Sequence, residues 1–166
     1  MKNYVEAIDT WMQALCAYDF TKYKNRKKET EAANMSLKIP IVNNMALAFM
    51  ILSKTTSDES KYLSRAMRLL DQVLKIDPNN EKALLRKCGV VLDLGSIQEC
   101  REIIDKLQVV AFDSANSQAV YMEIKRINQR IEEKLNPKRT EVQTAKVVPK
   151  NGFDKENDWY YQMKLF

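Results

Sequence analysis

The sequence predicts an all-α protein in which antiparallel helix pairs stack as a short solenoid with a C-terminal capping helix. Three observations favour this fold class. Apolar residues recur at helical spacing along most of the 166 residues. Three glycines and four prolines are too few for the many turns of an all-β protein. A pattern of apolar residues at steps of four and then three positions, which we call a ladder, also recurs after 34 positions.

Hydrophobic spacing and helix-breaking residues place the helices in order along the chain. Pro40 predicts that an apolar helix starts at Ile41, because proline is favoured at a helix start and disrupts a helix interior. The turn at residues 77–80 (DPNN) separates two amphipathic helices, and Gly95 ends the second of them. The predicted helical segments are residues 5–15, 41–52, 63–76, 81–94, 97–110 and 118–135.

Helical periodicity then ends, and the chain is predicted to have three parts. They are a helical domain (1–135), a linker (136–152) and a short terminal segment (153–166). The linker is polar and contains two prolines. The terminal segment is rich in aromatic residues, and Trp159, Met163 and Phe166 would share one face of a short helix. We expect this segment either to cap the solenoid or to dock onto another protein.

One pattern of apolar residues occurs three times along the chain. A small residue is followed by further apolar residues at steps of four and then three. The three ladders are Ala66-Leu70-Val73, Cys100-Ile104-Leu107 and Ala7-Trp11-Ala14. The first two are 34 residues apart, which is the period of the tetratricopeptide repeat. The alternative interpretation is a set of unrelated amphipathic helices with chance alanines.

Several segments resemble a known family. NNMALAF, IDPNNEKALLRK and the long closing helix are similar to the tetratricopeptide domain of the large immunophilins and related co-chaperones. The resemblance covers roughly residues 2–135, and DWYYQMKLF is similar to the short helix that follows that domain in those proteins. This sequence differs from that family in two respects. The prolyl-isomerase domain is absent, and Met1 falls in the middle of the first repeat.

The resemblance implies a binding site for acidic peptides. In that family a carboxylate clamp grips the acidic C-terminal tail of cytosolic heat-shock chaperones, and Asn44, Lys82 and Arg86 match three of its five positions. Lys82 and Arg86 are four residues apart and therefore share one helix face. Amide and cationic donors suit a terminal carboxylate, because charge-assisted hydrogen bonds are strong. The alternative is an ordinary solvated face.

The first helix of the first repeat is missing, and this leaves an apolar face without its usual neighbour. Leaving Val5, Ile8 and Trp11 in water would forgo about 1.5–3 kcal/mol for each side chain. We therefore expect a partner subunit, a swapped copy or upstream residues to cover them. Together with Trp159, Met163 and Phe166 of the terminal segment, these are the predicted docking residues.

Composition excludes several classes of enzyme. The chain has no histidine, which removes histidine acid–base catalysis and the usual zinc and haem ligands. Cys16, Cys88 and Cys100 form no C-x-x-C pair, so reduced thiols and a cytoplasmic location are expected, with Cys88 and Cys100 used for packing. We predict no enzyme, no cofactor and no metal site. No continuous apolar run reaches the roughly 18 residues that a membrane helix needs, so no membrane contact is expected.

The net positive charge favours an acidic partner but does not identify it. The net charge is +5 and the sequence pI is about 9.0. The basic run at residues 22–28 is expected to be solvated rather than to bind nucleic acid. The predicted function is a non-catalytic protein-interaction module, specifically a co-chaperone adaptor for acidic tails. Two alternatives are a structural repeat subunit or scaffold within a larger assembly and the non-catalytic part of a split prolyl isomerase.

Overall fold

The computed structural model describes residues 3–19, 27–112 and 116–136, and these are helical almost throughout. Seven α-helices and one π-helical turn form this part of the chain, which contains no strand. They are α1 (Tyr4–Asp19), α2 (Lys27–Ala33), the π-helical turn (Asn34–Lys38), α3 (Ile39–Ser53), α4 (Glu59–Ile76), α5 (Glu81–Asp93), α6 (Ile97–Ala111) and α7 (Ser117–Leu135). The all-α prediction is confirmed. Beyond Asn136, the predicted linker and terminal segment lie outside the described residues.

Two helix hairpins form the centre of the first of the chain's two compact units, Met1–Ile131. Helix α3 pairs with α4, and α5 pairs with α6. The hairpins stack, because α5 contacts both α3 and α4 of the preceding hairpin. Helix α1 packs against α3. Helix pairs that contact their sequence neighbours are the arrangement of a helical-repeat solenoid. The second unit, Glu132–Phe166, is described only as far as Asn136.

The three predicted ladders differ in burial. The α4 ladder (Ala66-Leu70-Val73) and the α6 ladder (Cys100-Ile104-Leu107) are buried over their whole length. In the α1 ladder, Ala7 and Trp11 are half-buried and Ala14 is exposed. The small residues at the start of the α4 and α6 ladders let the paired helices approach closely, and the larger residues fill the space between them.

Helix α7 packs onto the second hairpin through the apolar stripe that the sequence predicts. The buried residues of this stripe are Val120, Ile124, Ile127 and Ile131. They join a core cluster with side chains of α5 and α6. An ion pair between Arg130 of α7 and Asp93 of α5 adds a polar link. The last predicted member of the stripe, Leu135, is exposed.

Helix α5 begins and ends where the sequence indicates. Asn80 is its N-cap, and its side-chain oxygen accepts a hydrogen bond from the backbone N–H of Ala83 at 3.0 Å. After α5, Gly95 has φ of +92°, a left-handed conformation that residues with a side chain rarely adopt. These two residues fix the position of α5 relative to the turns on either side of it.

The helix that contains Pro40 starts earlier than the sequence predicts. The expected start was Ile41, whereas helical backbone runs from Lys27 through the π-helical turn into α3. Pro40 lacks the N–H that would bond to the carbonyl four residues back. The turn before it is wider, because the Ile39 N–H donates to the Asn34 carbonyl five residues back. The π-helical turn therefore lets the helix continue past the proline.

This continuity makes the segment longer than its apolar runs suggest. Helix Lys28–Ser53 is long and apolar enough, by length and composition alone, to cross a membrane. The expectation that no segment has this property was therefore wrong. A core helix passes the same test, and in α3 most of the large apolar side chains are buried within the fold, among them Val42, Met45 and Met50.

Candidate peptide-binding site

The three predicted clamp residues lie on two helices that contact each other. Asn44 is on α3 and exposed, whereas Lys82 and Arg86 are one helical turn apart on α5. Lys82 is also exposed, but Arg86 retains only 5% of its accessible surface. The structure thus brings the two cations together on one face of α5 and places the amide on the neighbouring helix.

Arg86 lies on the buried side of α5 because of its position in the helix. Ala83 and Val90, three residues before it and four after it, are both fully buried. The guanidinium Nη1 donates a hydrogen bond of 2.8 Å to the backbone carbonyl of Asn43. This bond joins the second hairpin to the first, so Arg86 has a structural role in addition to any binding role.

A chain of amide side chains continues from this contact. The Asn43 Nδ2 donates to Asn80 Oδ1 at 3.2 Å, and Asn80 Nδ2 donates to Asp77 Oδ2 at 3.0 Å. Asn80 is also the N-cap of α5, so the same side chain fixes the start of that helix. Together Asp77, Asn80, Asn43 and Arg86 form what we call the amide network, which connects the turn before α5 to α3.

Two polar atoms of the amide network have no hydrogen-bond partner within residues 3–19, 27–112 and 116–136. They are the side-chain oxygen Oδ1 of Asn43 and the guanidinium Nε of Arg86, and both are buried. Buried polar groups are nearly always paired, so each such atom needs an explanation. Sequence reasoning selected Asn44 and missed Asn43. The available signal was spacing, since Asn43 shares the buried face of α3 with Ile39, Ala46 and Met50.

The electrostatics of the site are dominated by the buried positive charge of Arg86. Burial lowers the pKa of Arg86 from its ordinary 12.5 to about 10, so the side chain remains charged at neutral pH. Burial and the nearby charge of Arg86 lower the pKa of Lys82. Among the described residues, no carboxylate lies within ion-pair distance of Arg86. An anion brought to this face would offset a charge that the described part of the chain leaves uncompensated.

The predicted docking residues are in three different situations. Val5 is 56% exposed and Trp11 is half-buried. Ile8 is only 8% exposed, and its helix α1 packs against α3, so Ile8 is covered within the fold; that it docks onto a partner stays a prediction. Trp159, Met163 and Phe166 lie outside the described residues, as does most of the basic run at 22–28.

Stacked hairpins with buried ladders 34 residues apart define the helical-repeat class of folds. The sequence comparison agrees with this class, because residues 59–121 match the family model described as Tetratricopeptide repeat. The match extends from α4 to the first turns of α7. No curated protein matches the chain. Repeats of this family generally mediate protein–protein contacts and are typically non-catalytic, and in the described residues no cluster of three metal-ligating side chains occurs.

Proposed function

We propose that this protein is a non-catalytic adaptor that binds the acidic C-terminal tail of a cytosolic heat-shock chaperone on the face shared by α3 and α5. The observation that carries this proposal is Arg86, a charged side chain with 5% exposure and no carboxylate partner among the described residues. A buried charge without a counterion is costly unless a ligand or partner supplies one.

The proposal gives Asn44, Lys82 and Arg86 different roles. Lys82 and Asn44 are exposed and can reach a peptide carboxylate directly. Arg86 is held by its bond to the Asn43 carbonyl, and it supplies positive potential from beneath the surface. A charge-assisted hydrogen bond contributes about 1.5–3 kcal/mol, and the contribution of exposed Lys82 falls at the low end because water and salt screen it.

Titration of an acidic C-terminal peptide tests the proposal. We expect Lys82→Ala and Asn44→Ala to weaken binding about tenfold each, and we expect amidation of the peptide's terminal carboxylate to weaken it as strongly. Lys106→Ala on α6 is the matched control, since it removes an exposed lysine of a helix outside the site. Equal affinity of the wild type and the Lys82→Ala variant, or of the free and amidated peptides, would contradict the proposal.

Arg86 needs a variant that separates binding from folding. Arg86→Lys keeps the charge but loses the fixed planar donors, whereas Arg86→Met keeps the length of the side chain and removes the charge. If Arg86 supplies positive potential, Arg86→Lys retains most of the peptide affinity and Arg86→Met loses it. Circular dichroism on both variants shows whether the helices persist. Two folded variants with the same affinity would refute this role.

A second candidate function is a structural subunit of a larger assembly. Exposed apolar side chains at the end of α6 favour it, since Val109 is 75% exposed and Phe112 is also exposed. A monodisperse monomer that gains no partner in native mass measurements, while still binding the acidic peptide, would rule out this alternative.

A further inference from the structure

We infer that Cys88 and Cys100 form a reversible intrachain disulfide that cross-links α5 to α6. The two residues face each other inside the second hairpin, with their sulfur atoms 2.7 Å apart. That separation is well inside the ordinary van der Waals contact of two sulfur atoms, and a disulfide bond needs about 2.05 Å. The sulfurs therefore have only a short distance to close.

The backbone arrangement at this point suits a cross-link. Cys88 Sγ lies 3.4 Å from the carbonyl oxygen of Cys100, and Cys100 Sγ lies 3.5 Å from the carbonyl oxygen of Cys88. The two cysteines therefore lie side by side across the contact between α5 and α6, and little movement is needed to bring their sulfurs together. Sequence reasoning assigned both residues to packing, which their complete burial fits, but packing alone does not require a cysteine at both positions.

The environment of the pair favours a thiolate at one of the two sulfurs. The sulfurs share a hydrogen bond in which either thiol can be the donor. Where Cys88 donates, this bond lowers the pKa of Cys100 and raises that of Cys88. The positive charge of Arg130 on α7 lowers the pKa of both thiols. Either sulfur can attack first, and the other then resolves the intermediate.

The oxidant is a peroxide, and the reaction balances as a two-electron step. Taking Cys100 as the attacking sulfur, its thiolate attacks one peroxide oxygen and the O–O bond breaks, which leaves the sulfenic acid and a hydroxide. The hydroxide takes up the proton that the Cys100 thiol released and becomes one water. The Cys88 sulfur then attacks the Cys100 sulfur, the S–O bond breaks, and the leaving hydroxide takes the Cys88 proton as a second water. Both sulfurs are fully buried, so the hairpin must open for peroxide to enter, and oxidation is slow compared with that of an exposed thiol.

The cross-link would act on the hairpin that carries the candidate site. Lys82 and Arg86 lie on the same helix as Cys88, so the oxidised form holds α5 to α6 covalently. A cross-link stabilises a fold mainly by restricting the unfolded chain. We expect the oxidised protein to have a thermal midpoint about 5 °C above that of the reduced protein. This inference does not depend on the identity of the peptide partner.

Peptide mass analysis of the full chain tests the inference directly. Trypsin cleaves after Lys87 and Arg101, so residues 88–101 form one fragment that contains both cysteines. After peroxide treatment and alkylation, we expect this fragment without alkyl groups and two hydrogen atoms lighter than its dithiol form. Reduction before alkylation should restore two alkylation sites. A Cys16→Ser background removes the exposed third thiol and with it cross-links between chains.

The control variants are Cys88→Ala and Cys100→Ala, whose thermal midpoints should not rise with peroxide. If either variant fails to fold, the thermal midpoints of the oxidised and reduced Cys16→Ser chain, in which Cys88 and Cys100 are unchanged, still test the inference. The inference is overturned if both thiols remain alkylatable after a peroxide treatment long enough to oxidise them when the hairpin is partly opened by urea, a treatment that far exceeds what oxidises the exposed Cys16 in the wild type. It is also overturned if Cys100 goes on to sulfinic acid without a disulfide, or if the cross-linked form is not more stable.

Discussion

The α4–α6 region and helix α1 carry the same ladder pattern but have different surroundings. The α4 and α6 ladders are buried throughout, whereas the α1 ladder ends with Ala14 in solvent. Helix α4 lies between its hairpin partner α3 and the next hairpin, and α6 contributes to a cluster that also includes α7. A residue ladder therefore indicates which face of a helix can be buried, and the neighbouring helices determine how much of it is buried.

Replacing the same residue type in both regions tests this difference most strongly. Leu70 is fully buried in the α4 ladder and Leu15 is half-buried on α1. We expect Leu70→Ala to lower the free energy of unfolding by about 3–4 kcal/mol, because it removes core contacts and leaves a cavity. Leu15→Ala should lower it by about 1 kcal/mol, since less surface is lost from the core. Urea unfolding measures both values.

The outcome of that pair is informative in either direction. Equal costs at Leu15 and Leu70 would mean that α1 is as well covered in solution as α4, so that a second copy or another segment packs on it. If the element that packs on α1 is another chain, dilution of the protein should reduce the loss in free energy of unfolding caused by Leu15→Ala. A cost below about 1 kcal/mol at Leu70 would contradict the buried ladder itself.

Most of the fold was predictable because spacing and helix-ending residues determine it locally. The stripe of α7, the N-cap at Asn80 and the turn at Gly95 all follow from side-chain types at fixed intervals. The start of the helix containing Pro40 was not predictable from the rule for proline alone. There a wider π-helical turn accommodates the N–H that proline lacks. No particular residue type in the sequence predicts this change in the backbone.

The candidate site was predictable in its position but not in its detail. The spacing of Lys82 and Arg86 placed both on one face of α5, as the structure has them. Sequence did not show that Arg86 would be buried or that it would bond to the backbone of Asn43. A hydrogen bond across 43 residues depends on how the hairpins stack, and local pattern does not contain that information. Whether the site binds an acidic tail stays a prediction.

Two residues at helix starts, Asn80 before α5 and Asn3 before α1, provide a second, smaller comparison. Asn80 accepts from the Ala83 N–H and also binds Asn43, whereas Asn3 accepts only a 3.2 Å bond from the exposed Glu6 N–H at the start of α1. We expect Asn80→Ala to lower the free energy of unfolding by about 1–2 kcal/mol and Asn3→Ala by about 0.5 kcal/mol. Chemical denaturation of both variants under the same conditions measures the difference.

A serine at position 80 separates the two functions of that residue. Ser retains an oxygen for the N-cap but is too short to continue the amide network to Asn43. An intermediate cost for Asn80→Ser would assign part of the stability to the cap and part to the network. A cost for Asn3→Ala as large as that for Asn80→Ala would show that the start of α1 is held more firmly than its exposure indicates.

The smallest expected effect concerns two exposed valines, Val5 on α1 and Val109 on α6. Both are more than half exposed, so we expect Val5→Ser and Val109→Ser to change the free energy of unfolding by no more than about 0.5 kcal/mol. Thermal unfolding at two protein concentrations tenfold apart measures this and detects association at the same time. A midpoint that rises with concentration in the wild type but not in Val5→Ser would show that a second chain covers α1. If Val109→Ser alone abolishes the rise, the contact between chains lies at the end of α6, and α1 is then the region whose apolar surface remains open.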